Sequence, residues 1–245
     1  DFRFLDESLS GLETQVRAAF EKEREFTSNA SHELMTPISI LQNKLENLML
    51  EDGVSDNIQV KINGMMATLG RLKKIVRILL MISRIDNNQF LRSDATDVQI
   101  LLSEIGHELA DRMEARDIRV SVNPEPAIRL HNINRELIFQ CIFNLWHNAI
   151  RHNRDGGYIR ISGNVPAGGG FILFIEDNGT GISADNLPYI FNRFRKATES
   201  PNEGYGLGLS IVKSIADYHG IRIEVQSTQG KGSVFSLHFP ADITG

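Results

Sequence analysis

The sequence predicts an all-α helical hairpin that pairs into a dimeric four-helix bundle, followed by an α+β domain in which helices cover a mostly antiparallel or mixed sheet. Three observations predict this order. Leucine-rich heptad rows fill the first part of the chain, and their periodicity stops in a polar stretch around residues 87–96. Beyond that stretch, short β-type runs alternate with helical ones, which is typical of a two-layer domain.

The first heptad row lies at the N-terminal end and predicts a coiled coil over residues 1–20 that passes on a signal. The chain starts inside this helical pattern, so we expect it to be a piece of a longer protein. The row alternates steps of four and three residues and consists of Leu5, Leu9, Leu12, Val16 and Ala19.

Two further rows predict a helical hairpin over residues 21–90, with a turn at residues 51–53. A lone hairpin cannot bury both apolar rows, whereas two copies can, so we expect a homodimer through residues 21–88. The alternative is a hairpin packed against the rest of its own chain. The rows are Ala30, Leu34, Ile38, Leu41, Leu45 and Leu48, then Ile58, Ile62, Met65, Leu69, Leu72, Val76 and Leu79.

The second domain is predicted over residues 96–245 from alternating periodicities. Helices are expected at 98–112, 133–152 and 207–219. Strands are expected at 118–122, 127–130, 158–163, 171–176, 221–227 and 233–239. The three glycines at 168–170 are predicted to form a hairpin tip and not a phosphate loop, because no helix follows them.

Composition excludes several classes of protein. The 245 residues carry a formal net charge of −5, which leaves no basic surplus for nucleic-acid phosphates. The single cysteine, Cys141, excludes an internal disulfide. No apolar run reaches the roughly 20 residues of a membrane span, so membrane contact is expected only through segments absent from this chain.

His32 is the first candidate catalytic residue. With Ala30 and Leu34 on the apolar row, helical geometry turns His32 away from it, and Thr36 follows one turn later on the same face. An exposed imidazole is a competent nucleophile near neutral pH, and Glu33 beside it can take or hold a proton. The alternative is an ordinary surface histidine.

A pair of amides forms the first part of a candidate nucleotide site. Asn144 and Asn148 lie four residues apart on one helix face, and amide oxygens are reasonable Mg²⁺ ligands. Arg151 and His152 continue that helix, where they could contact phosphate or stack on a base. Buried structural amides are the alternative.

Two glycine-containing segments complete that site. Asp177 ends an apolar strand, where it could accept a hydrogen bond from an adenine amino group, although a generic turn has the same residues. Gly204, Gly206 and Gly208 open a helix, whose free N–H groups favour phosphates. The polar segment 186–203 between them is predicted to be a lid, and its basic residues are Arg193, Arg195 and Lys196.

Residues 31–37 read SHELMTP and resemble the H-box of HisKA-type sensor histidine kinases. The resemblance implies that His32 accepts a phosphoryl group, that Glu33 assists the transfer and that Thr36 serves dephosphorylation of the partner. The family usually has arginine where this sequence has Met35.

The asparagine and glycine segments, in their order and spacing, resemble the N, G1 and G2 boxes of the GHKL (Bergerat) ATP-binding fold. Residues 190–194 resemble its F-box, and residues 230–235 its final glycine motif. The resemblance implies ATP and Mg²⁺ as cofactors and extends, with the H-box, over about residues 20–240. The predicted cofactor-binding residues are Asn144, Asn148, Arg151, His152, Asp177, Gly179, Gly181, Ile182, Phe191, Arg193, Arg195, Lys196, Gly204, Gly206, Leu207, Gly208, Leu209 and Ser233, with Asn144 and Asn148 as the metal ligands.

The resemblance implies an ATP-dependent protein-histidine kinase of two-component signal transduction. It would phosphorylate its own His32, pass the group to an aspartate of a response regulator receiver domain and act as a phosphatase towards that partner. The chain would be the cytoplasmic portion of an inner-membrane-anchored sensor. Phosphorylation within one subunit or between subunits is left open.

Two other functions remain as alternatives. One is a GHKL ATPase that works as a mechanical clamp, and the other is a nucleotide-sensing scaffold without catalysis. The clamp ATPases have a glutamate four residues before the metal-binding asparagine, where this chain has Asn144. An amide cannot take a proton from an attacking water, which favours transfer to a nucleophile such as His32.

Overall fold

The computed structural model describes residues 33–50, 55–195 and 206–245. The chain divides into two compact units, the first ending at Gln89 and the second beginning at Phe90. Outside the described residues lie the N-terminal heptad row, the predicted turn at 51–53, His32, Lys196 and Gly204.

The first unit contains two helices, α1 over residues 33–49 and α2 over Asp56–Asp86. A contact of 3.3 Å between Lys73 Nζ and Gln42 Oε1 joins the two helices side by side. Pro37 lies inside α1, where its missing N–H leaves the Glu33 carbonyl without its usual helical donor. Among the described residues, no helix is long and apolar enough to cross a membrane.

Each predicted heptad row divides into a covered and an uncovered half in a single copy of the chain. Ile38 of α1 and Ile62 of α2 are buried, so these positions face the partner helix of the hairpin. The alternate positions as far as Leu72 are between 43% and 54% exposed, at a spacing of seven residues, whereas Leu79 at the end of the second row is half-buried. These exposed positions are Leu34, Leu41 and Leu48 on α1, and Ile58, Met65 and Leu72 on α2.

The second unit is an α+β sandwich, as the sequence predicts. One sheet has five strands in the order β2–β4–β5–β7–β6, with β2 parallel to β4 and the remaining neighbours antiparallel; β1 and β3 form a separate antiparallel pair. The elements are β1 Asp94–Asp97, α3 Val98–Glu114, β2 Arg119–Asn123, β3 Arg129–Ile133, α4 Arg135–Arg151, β4 Tyr158–Asn164, β5 Phe171–Asp177, α5 Gly208–His219, β6 Arg222–Thr228 and β7 Gly232–Phe239, with 3-10 turns at Leu187–Tyr189 and Ala241–Ile243.

Helix α4 is central to the core, because it packs against both α3 and α5. Its start is fixed by Asn134, whose side-chain oxygen accepts the N–H of Leu137 at 3.0 Å. Its buried residues occur as adjacent pairs that repeat every four residues, which gives a wide apolar stripe. That stripe consists of Leu137, Ile138, Cys141, Ile142, Leu145, Trp146, Ala149 and Ile150.

Strand β5 shows the alternation of a sheet with one covered face. Phe171, Leu173 and Ile175 are buried beneath the helices, and the residues between them are half-buried on the other face. The same alternation brings Asp177, the last residue of β5, to the helix-covered side. The glycines at 168–170 lie in the turn between the antiparallel strands β4 and β5, as predicted.

Two elements differ from the sequence predictions. The predicted strand at 127–130 lies further along the chain, at Arg129–Ile133. The sequence analysis predicts no strand in the polar stretch 87–96, yet Asp94–Asp97 forms β1 and pairs with β3. Only Thr96 is buried in that strand, so the backbone pairing with β3 and not an apolar pattern makes it a strand.

Candidate active site

The two predicted metal-binding amides lie beside the start of α5. A Cβ atom built on Gly208, the first residue of α5, would lie 3.8 Å from Oδ1 of Asn144 and 3.8 Å from Oδ1 of Asn148. Asn144 also donates from Nδ2 to the carbonyl oxygen of Gln140 at 2.8 Å, which turns its amide oxygen away from its own helix. The lack of a side chain at Gly208 therefore leaves open space where the two amides meet the N–H groups of a helix start.

Gly206 holds the predicted lid segment against that helix start. Its φ of +65° favours glycine, and a Cβ there would overlap the carbonyl oxygen of Arg195. The N–H of Phe194 donates to the carbonyl oxygen of Gly206 at 3.0 Å. The guanidinium of Arg195 lies 4.4 Å from the centre of the Tyr189 ring, so this end of the segment is ordered by its own contacts.

The carboxyl group of Asp177 is buried at the end of β5. Burial raises its pKa to about 6, against the lowering effect of hydrogen bonds from the backbone N–H groups of Gly179 and Ser233. The bond from Gly179 N to Oδ1 measures 2.8 Å. At neutral pH the carboxylate is therefore an ionised acceptor whose remaining lone pairs can receive a ligand donor.

The turn after Asp177 is fastened directly to the end of α4. The N–H of Thr180 donates to the carbonyl oxygen of His152 at 2.9 Å. A Cβ at Gly179 would overlap that same oxygen, so only glycine allows the approach. The imidazole of His152 is exposed, as is expected for a group on the rim of a site.

The far side of the same turn is fastened to the β6–β7 connection. Gly181 has a φ of +64°, and a Cβ there would overlap the carbonyl oxygen of Thr228. The N–H of Gly230 donates to the carbonyl oxygen of Thr180 at 2.7 Å. The glycines at 179 and 181 thus let one turn lie between α4 and the β6–β7 connection.

Ser227 is a residue of this site that the sequence analysis missed. Its hydroxyl accepts the N–H of Ile182 at 2.8 Å, donates to the carbonyl oxygen of Gly232 at 2.9 Å and lies 3.0 Å from the hydroxyl of Ser233. Ser227 therefore links three segments around Asp177. A serine near the end of a strand carries no motif signal of its own, although its position opposite Ser233 could have suggested it.

Arg116 is the second residue that the sequence analysis missed. Its guanidinium donates to the carbonyl oxygens of Ile150 (2.5 Å), Arg151 (3.0 Å) and Asn153 (2.6 Å), and pairs with Asp155 at 2.9 Å. A cation at these last carbonyls caps the C-terminus of α4. Arg116 lies in the connection between α3 and β2, where no sequence pattern marks it.

The structure brings most of the predicted nucleotide-site residues to one edge of the second unit. Around α4 and the start of α5 lie Asn144, Asn148, Arg151, Gly206, Leu207, Gly208 and Leu209; around the end of β5 lie His152, Asp177, Gly179, Gly181, Ile182 and Ser233; on the segment before the undescribed residues lie Phe191, Arg193 and Arg195. Lys196 and Gly204 lie outside the described residues.

The predicted phosphoacceptor segment belongs to the first unit. Glu33 and Thr36 are exposed on α1, while Ile38 is buried within the hairpin. The apolar row and the predicted reactive face of α1 therefore point in different directions, as helical geometry requires. His32 directly precedes residue 33 in the sequence and lies outside the described residues.

Comparison with known proteins identifies both parts of the chain. Residues 133–243 match the family described as histidine kinase-, DNA gyrase B- and HSP90-like ATPase. Residues 22–88 match the His Kinase A (phospho-acceptor) domain. The chain belongs to the sensor histidine kinases of two-component systems.

Relatives of this histidine kinase include the phosphate regulon sensor protein PhoR of Pseudomonas aeruginosa, which is 31% identical over 237 residues. That match covers 94% of the chain and 53% of PhoR, so the chain spans about half the length of this relative.

Among solved structures, the Acinetobacter baumannii histidine kinase AdeS is 25% identical with a TM-score of 0.59, covering 86% of this chain and 98% of that one. Full-length ShkA in complex with AMPPNP has a TM-score of 0.73 at 21% identity, covering 88% of this chain and 45% of that one. The likeness to ShkA shows the fold alone. The sequence-based prediction of the histidine kinase family and of the fold class is confirmed.

Proposed function

We propose that this histidine kinase binds ATP with Mg²⁺ in the second unit and transfers the γ-phosphoryl group to His32 of the hairpin. The observation that supports this most is the position of α4. The same helix carries Asn144 and Asn148 beside Gly208, and its C-terminal carbonyl at His152 binds the turn that follows Asp177. One rigid element therefore sets the distance between a phosphate-binding end and a base-binding end of a nucleotide site.

The residues present fit a nucleotide-held magnesium ion. Mg²⁺ takes oxygen ligands and keeps several waters and substrate phosphates, and the Asn144 and Asn148 amides supply oxygens without a Cβ at Gly208 to block them. No cluster of three or more His, Cys, Asp or Glu side chains that could hold a metal occurs among the described residues. When bound, the ion would neutralise charge on the transferring phosphoryl group.

The proposed reaction forms one bond and breaks one. An imidazole nitrogen of His32 attacks the γ-phosphorus, the P–N bond forms, and the bond from the γ-phosphorus to the bridging β–γ oxygen breaks, releasing ADP. The ring loses its proton, and Glu33 next to it can accept it or orient the ring. We propose Glu33 for that role and Thr36, exposed one turn further on, for dephosphorylation of the partner.

The exposed heptad positions support a homodimer. Half of each apolar row on α1 and α2 is uncovered in a single copy, and a second hairpin with the same spacing could cover it. We therefore propose the predicted arrangement of a signalling helix at 1–20, a dimerisation and phosphotransfer hairpin at 21–90 and a catalytic domain at 96–245.

The phosphoryl group is proposed to pass from His32 to an aspartate of a response regulator receiver domain. A phosphoramidate is energy-rich enough for that transfer, and the family assignment supports this kind of partner. We also propose that the chain is the cytoplasmic portion of an inner-membrane sensor, as the resemblance to sensor histidine kinases implies.

The test is incubation of the chain with γ-labelled ATP and Mg²⁺, alone and as the variant His32→Gln. His107→Gln is a matched control, because His107 is an exposed histidine on α3. We expect acid-labile, alkali-stable label on the unchanged chain and on His107→Gln, and none on His32→Gln. Label on His32→Gln would mean another acceptor, and ATP hydrolysis that survives this change would favour the clamp ATPase. ATP binding without label on any form would favour the scaffold.

A further inference from the structure

The hydroxyl of Ser227 has all three of its hydrogen-bonding positions filled. A hydroxyl has one hydrogen to donate and two lone pairs to accept with. The N–H of Ile182 can only donate, so it occupies one lone pair, at 2.8 Å. The carbonyl oxygen of Gly232 can only accept, so the single hydrogen of Ser227 points there, at 2.9 Å.

The remaining contact of Ser227, with the hydroxyl of Ser233 at 3.0 Å, then has a fixed direction. Because Ser227 has no second hydrogen, the hydrogen in this contact must come from Ser233. The oxygen of Ser233 is left with its lone pairs only. Ser233 therefore faces its other neighbours as an acceptor, in contrast to a freely rotating serine, which could also donate.

Ser233 and Asp177 lie together on the helix-covered side of the sheet. The two residues are directly opposite each other in the β5–β7 pairing, so their side chains project from the same face. Both residues are buried, and the backbone N–H of Ser233 donates to the carboxylate of Asp177. The ionised carboxylate is also an acceptor, which gives two adjacent groups that can only accept.

We infer that Ser227 fixes Ser233 as an acceptor and thereby selects a base that carries an amino group over one that carries a carbonyl oxygen at the same ring position. This rests on the proposed function, in which the base of ATP lies against Asp177. The 6-amino group of adenine offers two hydrogens, which suit two acceptors. A 6-oxo base offers an oxygen that would face Asp177 and Ser233 without a donor from either.

The polarity of Ser233 can be separated from the general support that Ser227 gives to the turn. Ser227→Ala removes the acceptor for Ile182, and this loss should weaken every purine nucleotide to a similar extent. It also frees the hydroxyl of Ser233 to rotate and donate to a 6-oxo group. The ratio of two affinities cancels the first effect and retains the second.

The experiment measures binding of ADP and of inosine 5′-diphosphate to the full chain by calorimetry. These ligands differ in the 6-amino and 6-oxo groups and at N1, which carries a hydrogen only in the 6-oxo base; that difference is the same for every variant. We expect the unchanged chain to prefer ADP, and Ser227→Ala to reduce that preference by about threefold to tenfold, the value of one hydrogen bond. Ser227→Thr retains a hydroxyl and should keep the original preference.

Ser236→Ala is the matched control, because Ser236 is a buried serine on the same strand but on the opposite face of the sheet from Ser233. Its preference should equal that of the unchanged chain. An unaltered preference in Ser227→Ala, or an unchanged chain that binds both nucleotides equally, would overturn the inference. Failure of the proposed kinase function would look different, since label would be missing from His32 while the ADP preference and its dependence on Ser227 remained.

Discussion

The N–H of Thr180 donates to the carbonyl oxygen of His152 at 2.9 Å, and this bond joins the two halves of the candidate nucleotide site. Thr180 belongs to the turn that follows Asp177, whereas His152 is the C-cap residue of the helix that carries Asn144 and Asn148. Any change that separates these two backbones should alter the distance between base-binding and phosphate-binding groups.

Gly179→Ala should disturb the contact between Thr180 and His152 by changing the turn. The new Cβ would overlap the carbonyl oxygen of His152, and neither partner can rotate away, because both are held by the backbone. We expect a loss of about 1–3 kcal/mol in the free energy of unfolding, together with a weaker affinity for ADP. Thermal melting and calorimetry measure the two effects.

Gly168→Ala is the control for this variant, since a Cβ atom at this position in the β4–β5 turn would have no atom within 4 Å apart from those of its neighbours in the chain. It should retain both stability and ADP affinity. Wild-type ADP binding by Gly179→Ala would show that the approach of the turn to α4 does not set the geometry of the site.

Arg116→Ala should loosen the contact between Thr180 and His152 by weakening the end of α4. Its guanidinium donates to three carbonyl oxygens at the end of that helix, and truncation removes the cap. We expect a fall in Tm of roughly 3–8 °C, because leaving part-buried acceptors unpaired costs about 1–3 kcal/mol. ADP affinity should fall more in Arg116→Ala than in Arg119→Ala, an exposed arginine on β2.

Arg116→Lys separates the effect of the charge from the effect of the multiple hydrogen bonds. An ammonium keeps the charge but lacks the planar fork that reaches several acceptors at once. We expect a Tm between those of the unchanged chain and Arg116→Ala. If Arg116→Lys equals the unchanged chain in Tm and in ADP affinity, charge at the helix end would be sufficient and the multiple bonds would not matter.

Local sequence patterns predicted the parts of this fold in which one residue type repeats. The paired apolar positions of α4 and the alternation in β5 follow from burial of one face, which the sequence displays directly. The glycines at 179 and 181 could also be predicted, because a backbone contact that excludes a Cβ leaves glycine as the only choice.

Contacts between distant segments could not be predicted in this way. The strand Asp94–Asp97 is polar, and its pairing with β3 depends on backbone groups that every residue shares. Arg116 reaches α4 over about 35 residues of sequence, and Ser227 reaches Ile182 over 45. Neither residue stands out in its local sequence, so its role can be recognised only from the folded structure, in which its partners lie next to it.

The exposed heptad positions predict a dimer interface, and carboxylates introduced into that interface should dissociate the dimer. In the double variant Leu41→Glu and Met65→Glu, each copy would place two carboxylates where the second copy should pack. Burying a charge without a partner costs several kcal/mol, so we expect the dimer to weaken by at least about 30-fold. Sedimentation velocity of the full chain would measure the change.

Val60→Glu is the control for the dimer, because Val60 is exposed on α2 but does not belong to the row of Ile58, Met65 and Leu72. It should remain dimeric. ADP affinity should be unchanged in all of these variants, which would show that the second unit is still folded. A double variant that stays dimeric would place the interface on another surface.

Asp177 should lower the stability of the second unit as the pH rises. Burial raises its pKa from 3.8 to about 6, so the folded state holds this proton more tightly than the unfolded state. The stabilisation is fully present below pH 3.8 and is lost as the pH rises through about 6, a change of about 3 kcal/mol. Asp177→Asn has no such proton and should be more stable than the unchanged chain at about pH 7.5. Equal stabilities from about pH 4 to about pH 8 would mean that the carboxyl is not buried as described.

Nucleotide binding should depend on pH in the opposite direction, because the proposed contact with the adenine amino group needs the ionised carboxylate. With a pKa of about 6, only about a tenth of the carboxyls are ionised at pH 5, so ADP affinity should fall about tenfold between pH 7.5 and pH 5. Asp177→Asn should bind ADP weakly and with no step near pH 6. Glu176→Gln, a change at the adjacent half-buried carboxylate on the other face of β5, should keep the step. If the step in ADP affinity persisted in Asp177→Asn, the titration would belong to another group, and Asp177 would not make the proposed base contact.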